Sequence, residues 1–188
     1  MYDFTQDMER ILLDSTTLSS VISSLAARIN ADYAQREGKT LLAIPVLKGA
    51  MFFAAALLEK LTLPLELDFV SASSYRKGAQ SGSLNLGAFP DRGDWADLDV
   101  LIIEDIVDTG KTLSAMVAEL KARGAASVRV VALLDKPSRR SVPFTADYIG
   151  MEIPNAFVVG FGLDYAEKYR NLPYIGILRR EIYEPSSH

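Results

Sequence analysis

Three short apolar runs, Leu41 to Leu47, Val100 to Ile103 and Val128 to Leu134, constrain the fold of this chain more than any other feature. None alternates like a strand with one wet face, and none has helical spacing, so each suits a strand buried on both faces. Helical patterns lie between them. Leu18, Val21, Ile22, Leu25, Ile29 and Tyr33 recur at spacings of three and four and read as an amphipathic helix, ended by Gly38-Lys39. Lys48-Gly49 turns the first run into an apolar helix over Ala50 to Leu61. A further helix over Leu113 to Ala122 closes on Arg123-Gly124, a cation in the last turn followed by a C-terminal glycine. Leu65 to Ser71 reads as another strand, with Leu84, Leu86 and Ala88 as a return strand. Tyr148-Ile149-Gly150 and Phe157-Val158-Val159 are short apolar pieces, and Tyr174 to Leu178 is a last strand. Strands alternating with helices imply an α/β fold, a mainly parallel sheet flanked by helices with right-handed crossovers. No repeat or linker divides the 188 residues, and 49 % hydrophobic with 23 % charged content suits one globular domain.

Composition narrows the chemistry. There is no Cys, which excludes disulfides, thiolate metal ligands and a cysteine nucleophile, and the only His is the terminal His188. A His-based triad and a multi-His metal site are excluded with it, leaving carboxylates, Lys, Arg and backbone groups. Twenty Lys plus Arg against 24 Asp plus Glu give a net charge of −4, a field that does not favour nucleic acid or acidic lipid. Any bound anion is held locally. Met1 to Arg10 has no basic, then apolar, leader pattern, and the apolar stretch Ala50 to Leu58 falls short of the roughly 20 residues that span a bilayer. The expectation is a cytoplasmic protein without a membrane partner.

In open parallel sheets ligands sit beyond the carboxyl ends of the strands, so the segments after the apolar runs are the ones to read. The sharpest is Val100-Leu101-Ile102-Ile103-Glu104-Asp105-Ile106-Val107-Asp108-Thr109-Gly110-Lys111-Thr112-Leu113. A buried strand runs into an acidic turn over Glu104 to Thr112, and Asp-Thr-Gly-Lys-Thr then opens a helix. Backbone N–H groups with the Thr109 and Thr112 hydroxyls form a cradle for a phosphate monoester there. Glu104 and Asp105 accept hydrogen bonds and suit vicinal ribose hydroxyls. The plainer alternative has Asp108 capping the helix and Glu104-Asp105 in a solvated loop. Gly110-Lys111-Thr112 echoes the end of a P-loop, but that motif needs a glycine where this chain has Asp105.

A hydrophobic strand, Glu-Asp, two apolar residues and Asp-Thr-Gly-Lys-Thr resembles the phosphoribosyl-diphosphate (PRPP) signature of the type I phosphoribosyltransferases. Leu47-Lys48-Gly49-Ala50, Ser73-Ser74-Tyr75, Leu133-Leu134-Asp135-Lys136-Pro137 and the segment from Phe157 to Tyr174 are similar to the bacterial hypoxanthine-guanine members. The likeness extends from about Leu41 to Glu184. It implies a core over about residues 38–150, with a small hood from the N-terminal segment and about residues 151–184. It implies transfer of the phosphoribosyl group from PRPP to a 6-oxopurine, releasing pyrophosphate, with Mg2+ as cofactor. Glu104, Asp105, Asp108, Thr109, Gly110, Lys111 and Thr112 would hold the ribose and 5′-phosphate, with Asp108 as general base toward N7 of the base.

The remaining roles follow from the same likeness. Lys48, Gly49 and Arg170 would face pyrophosphate, the peptide before Lys48 being cis in relatives. Lys136 would donate to O6 of the purine, a contact that a 6-amino group cannot accept. Phe157 would stack on the ring beside the Val158 backbone. Asp164, with Glu104 and Asp105, would serve magnesium. Ser74 and Tyr75 would belong to a mobile loop over Ser73 to Ser83 that excludes water. Taken alone, Lys136 reads as a surface lysine opening a basic loop with Arg139 and Arg140, and Phe157 as core. The chain departs from relatives at Arg76-Lys77, over Gly87 to Asp97 and at Phe161. The likeness also implies a homo-oligomer, a dimer or tetramer. Two other readings remain: a xanthine- or pyrimidine-preferring transferase, and a PRPP-sensing regulator that binds nucleic acid.

Overall fold

The computed structural model describes residues 2–34, 36, 40–73, 85–86, 89–90 and 92–184. The three apolar runs become neighbouring parallel strands: β2 (Thr40–Leu47), β6 (Leu98–Val107) and β7 (Ser127–Asp135). They form the middle of a seven-stranded sheet, with β3 (Leu65–Leu67), β4 (Val70–Ser73) and β5 (Asn85–Leu86) on the β2 side and β8 (Tyr148–Glu152) beside β7. Both faces of the central strands are apolar because both are covered. Leu41, Ala43, Leu101, Ile103, Val131 and Leu133 pack with α1 (Ser15–Tyr33) and α2 (Met51–Leu58), while Leu42, Ile44, Val100, Ile102, Val130 and Ala132 pack with α3 (Lys111–Ala122). The period-two split of each run between two clusters is the geometry of a strand with helices on both sides.

The expected strand over Leu65 to Ser71 is in fact two. β3 pairs with Leu41 to Ala43 of β2, and β4 pairs with Val46 and Leu47. Between those positions stands Pro45, which has no N–H to give to a ladder. The return strand is present as β5, antiparallel to β4.

A second, three-stranded sheet in the order β1-β10-β9 forms the hood, from β1 (Met8–Leu13), β9 (Val158–Val159) and β10 (Ile175–Leu178). The N-terminal share of the hood is smaller than the sequence implies. Only β1 and the 3-10 turn Phe4–Asp7 join it, because the apolar stripe of α1 (Leu18, Ile22, Leu25, Ile29) is buried against the main sheet. Asp14 caps that helix, its Oδ1 accepting from Thr17 N at 2.7 Å. Leu13, Val158, Leu163, Ile175 and Ile177 share one buried cluster with α1 and α2, so hood and main sheet meet through apolar contact.

The helix after Lys48-Gly49 is shorter than expected, ending at Leu58. The helix expected from Leu113 begins two residues earlier, at Lys111, and closes as expected, with Arg123 at its C-cap and Gly124 at φ +91°. Among the described residues no helix is long and apolar enough to cross a membrane.

Candidate active site

Strand register assembles the site. Val107 lies opposite Asp135 across β6 and β7, so the residues after each strand end, Asp108 and Lys136, emerge side by side. Lys136 N donates to Val107 O at 2.9 Å, closing the ladder at that edge. On the other side of β6, Pro45 pairs with Ile103, which brings the Lys48-Gly49 turn beside Glu104 and Asp105.

β6 is longer than the apolar run that announces it. The strand continues through Glu104 and Asp105 to Val107, so the turn expected over Glu104 to Thr112 starts only at Asp108, and the solvated-loop reading of the acidic pair fails. Asp105 is 7 % exposed, and one Glu104 oxygen, Oε2, is buried without a hydrogen-bond partner in the structure. Burial, and then the charge of Asp105, pushes the Glu104 carboxyl well above the usual carboxylate range. Asp105 is pushed up by burial, against the pull of Glu104, the Ile106 N–H and the Arg170 charge. Two crowded acids with an unpartnered buried oxygen have the chemistry to offer hard oxygens to a cation.

The residues that the likeness assigns to pyrophosphate gather around this pair. The Leu47-Lys48 peptide is cis, as the likeness implies. A Cβ on Gly49 would stand 1.9 Å from Asp105 Oδ2, and one on Gly162, whose φ is +104°, would stand 2.0 Å from Gly49 O. Strand, turn and hood therefore meet at a point where only glycine fits. Lys48 Nζ pairs with Glu167 Oε2 at 2.9 Å, and this contact holds the Glu167 carboxyl below its usual range. Arg170 pairs with Asp164 Oδ1 at 2.8 Å and donates to Gly162 O at 2.7 Å, while its Nε is buried without a partner. Glu167 is absent from the expected site, and no local sequence signal marks it. It lies in a hood loop where Phe161, Ala166, Glu167 and Tyr169 all take positive φ.

The three carboxylates assigned to magnesium do not form one ligand set: among the described residues no group of three or more potential ligands gathers. Asp164 stands on the hood paired with Arg170, while Glu104 and Asp105 close β6. A magnesium ion fits either place only by taking further oxygens from substrate and water, which is its habit.

At the other end, the plainer reading of Asp108 as a helix cap also fails. The cap position of α3 is Gly110, at φ +80° and without a side-chain cap, and the Asp108 carboxylate pairs instead with Arg139 Nε at 3.2 Å. The first turn of α3 opens at Lys111 and Thr112, where the leading N–H groups of a helix have no carbonyl of their own helix to donate to. Thr109 Oγ1 approaches Lys111 N at 3.4 Å. Lys136 is half-buried. Burial lowers its pKa, Asp108 acts in the opposite direction, and Arg139 adds to the lowering. Phe157 is partly buried, stacked on Tyr183 at 4.7 Å and edge-on to Tyr165 at 5.7 Å, next to Val158 in β9. Ser74, Tyr75 and the Arg76-Lys77 departure lie outside the described residues. The Phe161 departure packs its ring against Phe52 at 6.3 Å.

This geometry places the start of α3, an acidic pair and the cations Lys48 and Lys136 at the ends of neighbouring strands. Residues 10–166 match the model of the phosphoribosyl transferase domain. The chain belongs to the phosphoribosyltransferase family. Within it, this phosphoribosyltransferase is 44 % identical over 179 residues to the hypoxanthine-guanine phosphoribosyltransferase of Bacillus subtilis (strain 168), covering 95 % of this chain and 97 % of that one. It is 48 % identical over 179 residues to the bifunctional protein TilS/HprT of Listeria innocua; the match covers 94 % of this chain but only 27 % of that longer protein. The crystal structure of a Staphylococcus aureus hypoxanthine phosphoribosyltransferase superposes with a TM-score of 0.85 at 40 % identity over 96 % of both chains. The Trypanosoma cruzi enzyme in complex with the product IMP gives 0.85 at 39 % identity, covering 97 % of this phosphoribosyltransferase and 99 % of that chain.

Proposed function

We propose that this phosphoribosyltransferase carries out purine salvage, moving the 5-phosphoribosyl group of PRPP to hypoxanthine and guanine to give IMP or GMP and pyrophosphate. The observation that carries the reading is the Asp108 carboxylate at the mouth of α3, beside a half-buried Lys136. Phosphate oxygens of the donor accept from the N–H groups at Lys111 to Leu113 and from the Thr109 and Thr112 hydroxyls. The purine lies on Phe157 beside the Val158 backbone, and the Lys136 ammonium donates to O6.

In the transfer, N9 of the purine forms a bond to C1 of the ribose as the bond from C1 to the diphosphate oxygen breaks. The proton on N7 passes to the Asp108 carboxylate, so the purine remains neutral as it acquires the sugar. Positive charge grows on the ribose near Glu104 and Asp105. Negative charge grows on the diphosphate near Lys48, the Gly49 backbone and Arg170, whose buried Nε supports the role as a donor without a partner. Magnesium, when bound, draws negative charge from the diphosphate; Glu104 and Asp105 on one side and Asp164 on the other are the residues that would hold it. For the leaving group to occupy this place, Lys48 must exchange Glu167 for phosphate oxygens.

The same reading places the protein in the cytoplasm as a homo-oligomer. Its test is product analysis with PRPP, magnesium and each of hypoxanthine, guanine, xanthine, adenine and uracil. IMP and GMP with stoichiometric pyrophosphate, and no AMP, are expected. Turnover of adenine or uracil in preference to hypoxanthine contradicts the assignment of Lys136.

A further inference from the structure

The segment after Lys136 reads in the sequence as a basic surface loop, yet one of its arginines is turned inward. The Arg140 side chain is only 15 % exposed. Its Nη1 donates to Asp108 O at 2.5 Å and to Val107 O at 3.2 Å, while Nη2 pairs with the carboxylate of Asp135, which is 4 % exposed. One guanidinium thus joins the end of β6 to the end of β7, between the proposed base and the residue just before Lys136. Neighbouring contacts run the same way. Ser141 N and Oγ donate to Thr109 O at 3.0 and 3.3 Å, and a Cβ on Gly110 would stand 3.0 Å from the Arg140 Cδ.

These contacts go to the backbone of the catalytic turn and leave its carboxylate to Arg139 and substrate. A planar fork with five donors reaches two carbonyls and a carboxylate together, whereas an ammonium on a flexible stem does not hold that geometry. We propose that Arg140 is a positioning residue for phosphoribosyl transfer, fixing the Asp108 backbone relative to the purine-holding end of β7. It touches neither substrate nor the reacting atoms. The inference rests on the reading of Asp108 as the proton acceptor. It assigns separate duties to one loop: Arg140 sets where the carboxylate meets N7, and the start of α3 with Ser141 sets where the phosphate binds.

The test compares wild type, Arg140→Ala and Arg140→Lys by kcat, KM for PRPP, KM for hypoxanthine and melting temperature, and then adds ethylguanidinium to Arg140→Ala. Small misplacements of a reacting group cost up to about 100-fold, so kcat is expected to fall about 10- to 100-fold in both variants. The KM for PRPP is expected to stay within about threefold of wild type, since the cradle keeps its own supports. Ethylguanidinium should restore part of the lost kcat in Arg140→Ala with saturation, a response that lost packing alone does not give. Should Arg140→Ala fail to fold, Arg140→Lys decides: it keeps the charge, and a wild-type kcat in it overturns the proposal. A folded Arg140→Ala with wild-type kcat, or one with no response to ethylguanidinium, overturns it as well. Absence of IMP formation by wild type would instead overturn the proposed function, so the two failures are distinguishable.

Discussion

The proposed contact to O6 asks Lys136 to carry a charge where burial disfavours one. Desolvation lowers its pKa from the ordinary 10.5, Asp108 opposes that shift, and Arg139 adds to it. For a base lowered in the folded state, the folded protein binds fewer protons between the lowered value and 10.5. The stability linked to this group is therefore present above pH 10.5 and is lost as pH falls through the lowered value. With lysines labelled as 13C-dimethylamines, the resonance missing from Lys136→Arg should titrate below those of the exposed labelled lysines; a midpoint at or above theirs contradicts the described burial. Truncation tests the contact itself. A hydrogen bond from a charged group contributes about 1.5–3 kcal/mol, so Lys136→Ala should raise the KM for hypoxanthine roughly 10- to 100-fold. An equal rise in the KM for PRPP would show that the side chain serves the donor instead. Single residues were legible only where a motif surrounds them. Asp108 and Lys136 stand out in that way, whereas Glu167 and Arg140 are ordinary charged residues in loops, and only folding shows that one reaches Lys48 and the other the Asp108 carbonyl.

At the scale of elements, strands buried on both faces announce themselves, and β2, β6 and β7 lie where their apolar runs stand. What failed to read were features set by a partner element. Glu104 and Asp105 look like a strand end because isolated charges avoid a core, but β6 keeps its pairing with β7 beyond Ile103, where that with β2 stops, setting Glu104 opposite Ala132 and Val107 opposite Asp135. β1 has no strong pattern of its own and is held by pairing with β10. The split between β3 and β4 follows from Pro45 in the adjacent strand. The junction of strand, turn and hood at Gly49 and Gly162 gives a direct prediction. Gly162→Ala puts a Cβ 2.0 Å from the Gly49 carbonyl at φ +104°, and the backbone conformation alone costs about 1–3 kcal/mol. A lowered melting temperature and weakened pyrophosphate inhibition are expected, and unchanged values of both would show that hood and turn are not in register as described. Capping α1 is a separate matter: Asp14→Ala should cost about 1 kcal/mol by denaturant melts and leave turnover unchanged, whereas a loss of turnover would tie α1 to the site.

For the whole molecule, the absence of Cys and the single terminal His leave carboxylates, ammonium and guanidinium groups to do the chemistry. The fold sets them out by charge. In the proposed reaction the acids would face a ribosyl cation and a metal ion, the cations the departing diphosphate, and the mouth of α3 the 5′-phosphate. Fold class was readable from the motifs and their likeness to known transferases. The division of the hood was not, because it depends on which face of α1 finds a partner. Held by these carboxylates, magnesium would complete its shell with oxygens of the donor and of water. Excess chelator should abolish turnover, and adding magnesium back should restore it; full activity in chelator would contradict a metal-assisted departure. The account turns on proton acceptance at Asp108, and the most direct measurement is the kcat for IMP formation from PRPP and hypoxanthine by wild type and Asp108→Asn. Losing a general base lowers turnover by about 10²- to 10⁴-fold, and the KM for PRPP should change little because the cradle at α3 is intact. An Asp108→Asn variant that forms IMP at the wild-type rate would contradict the account.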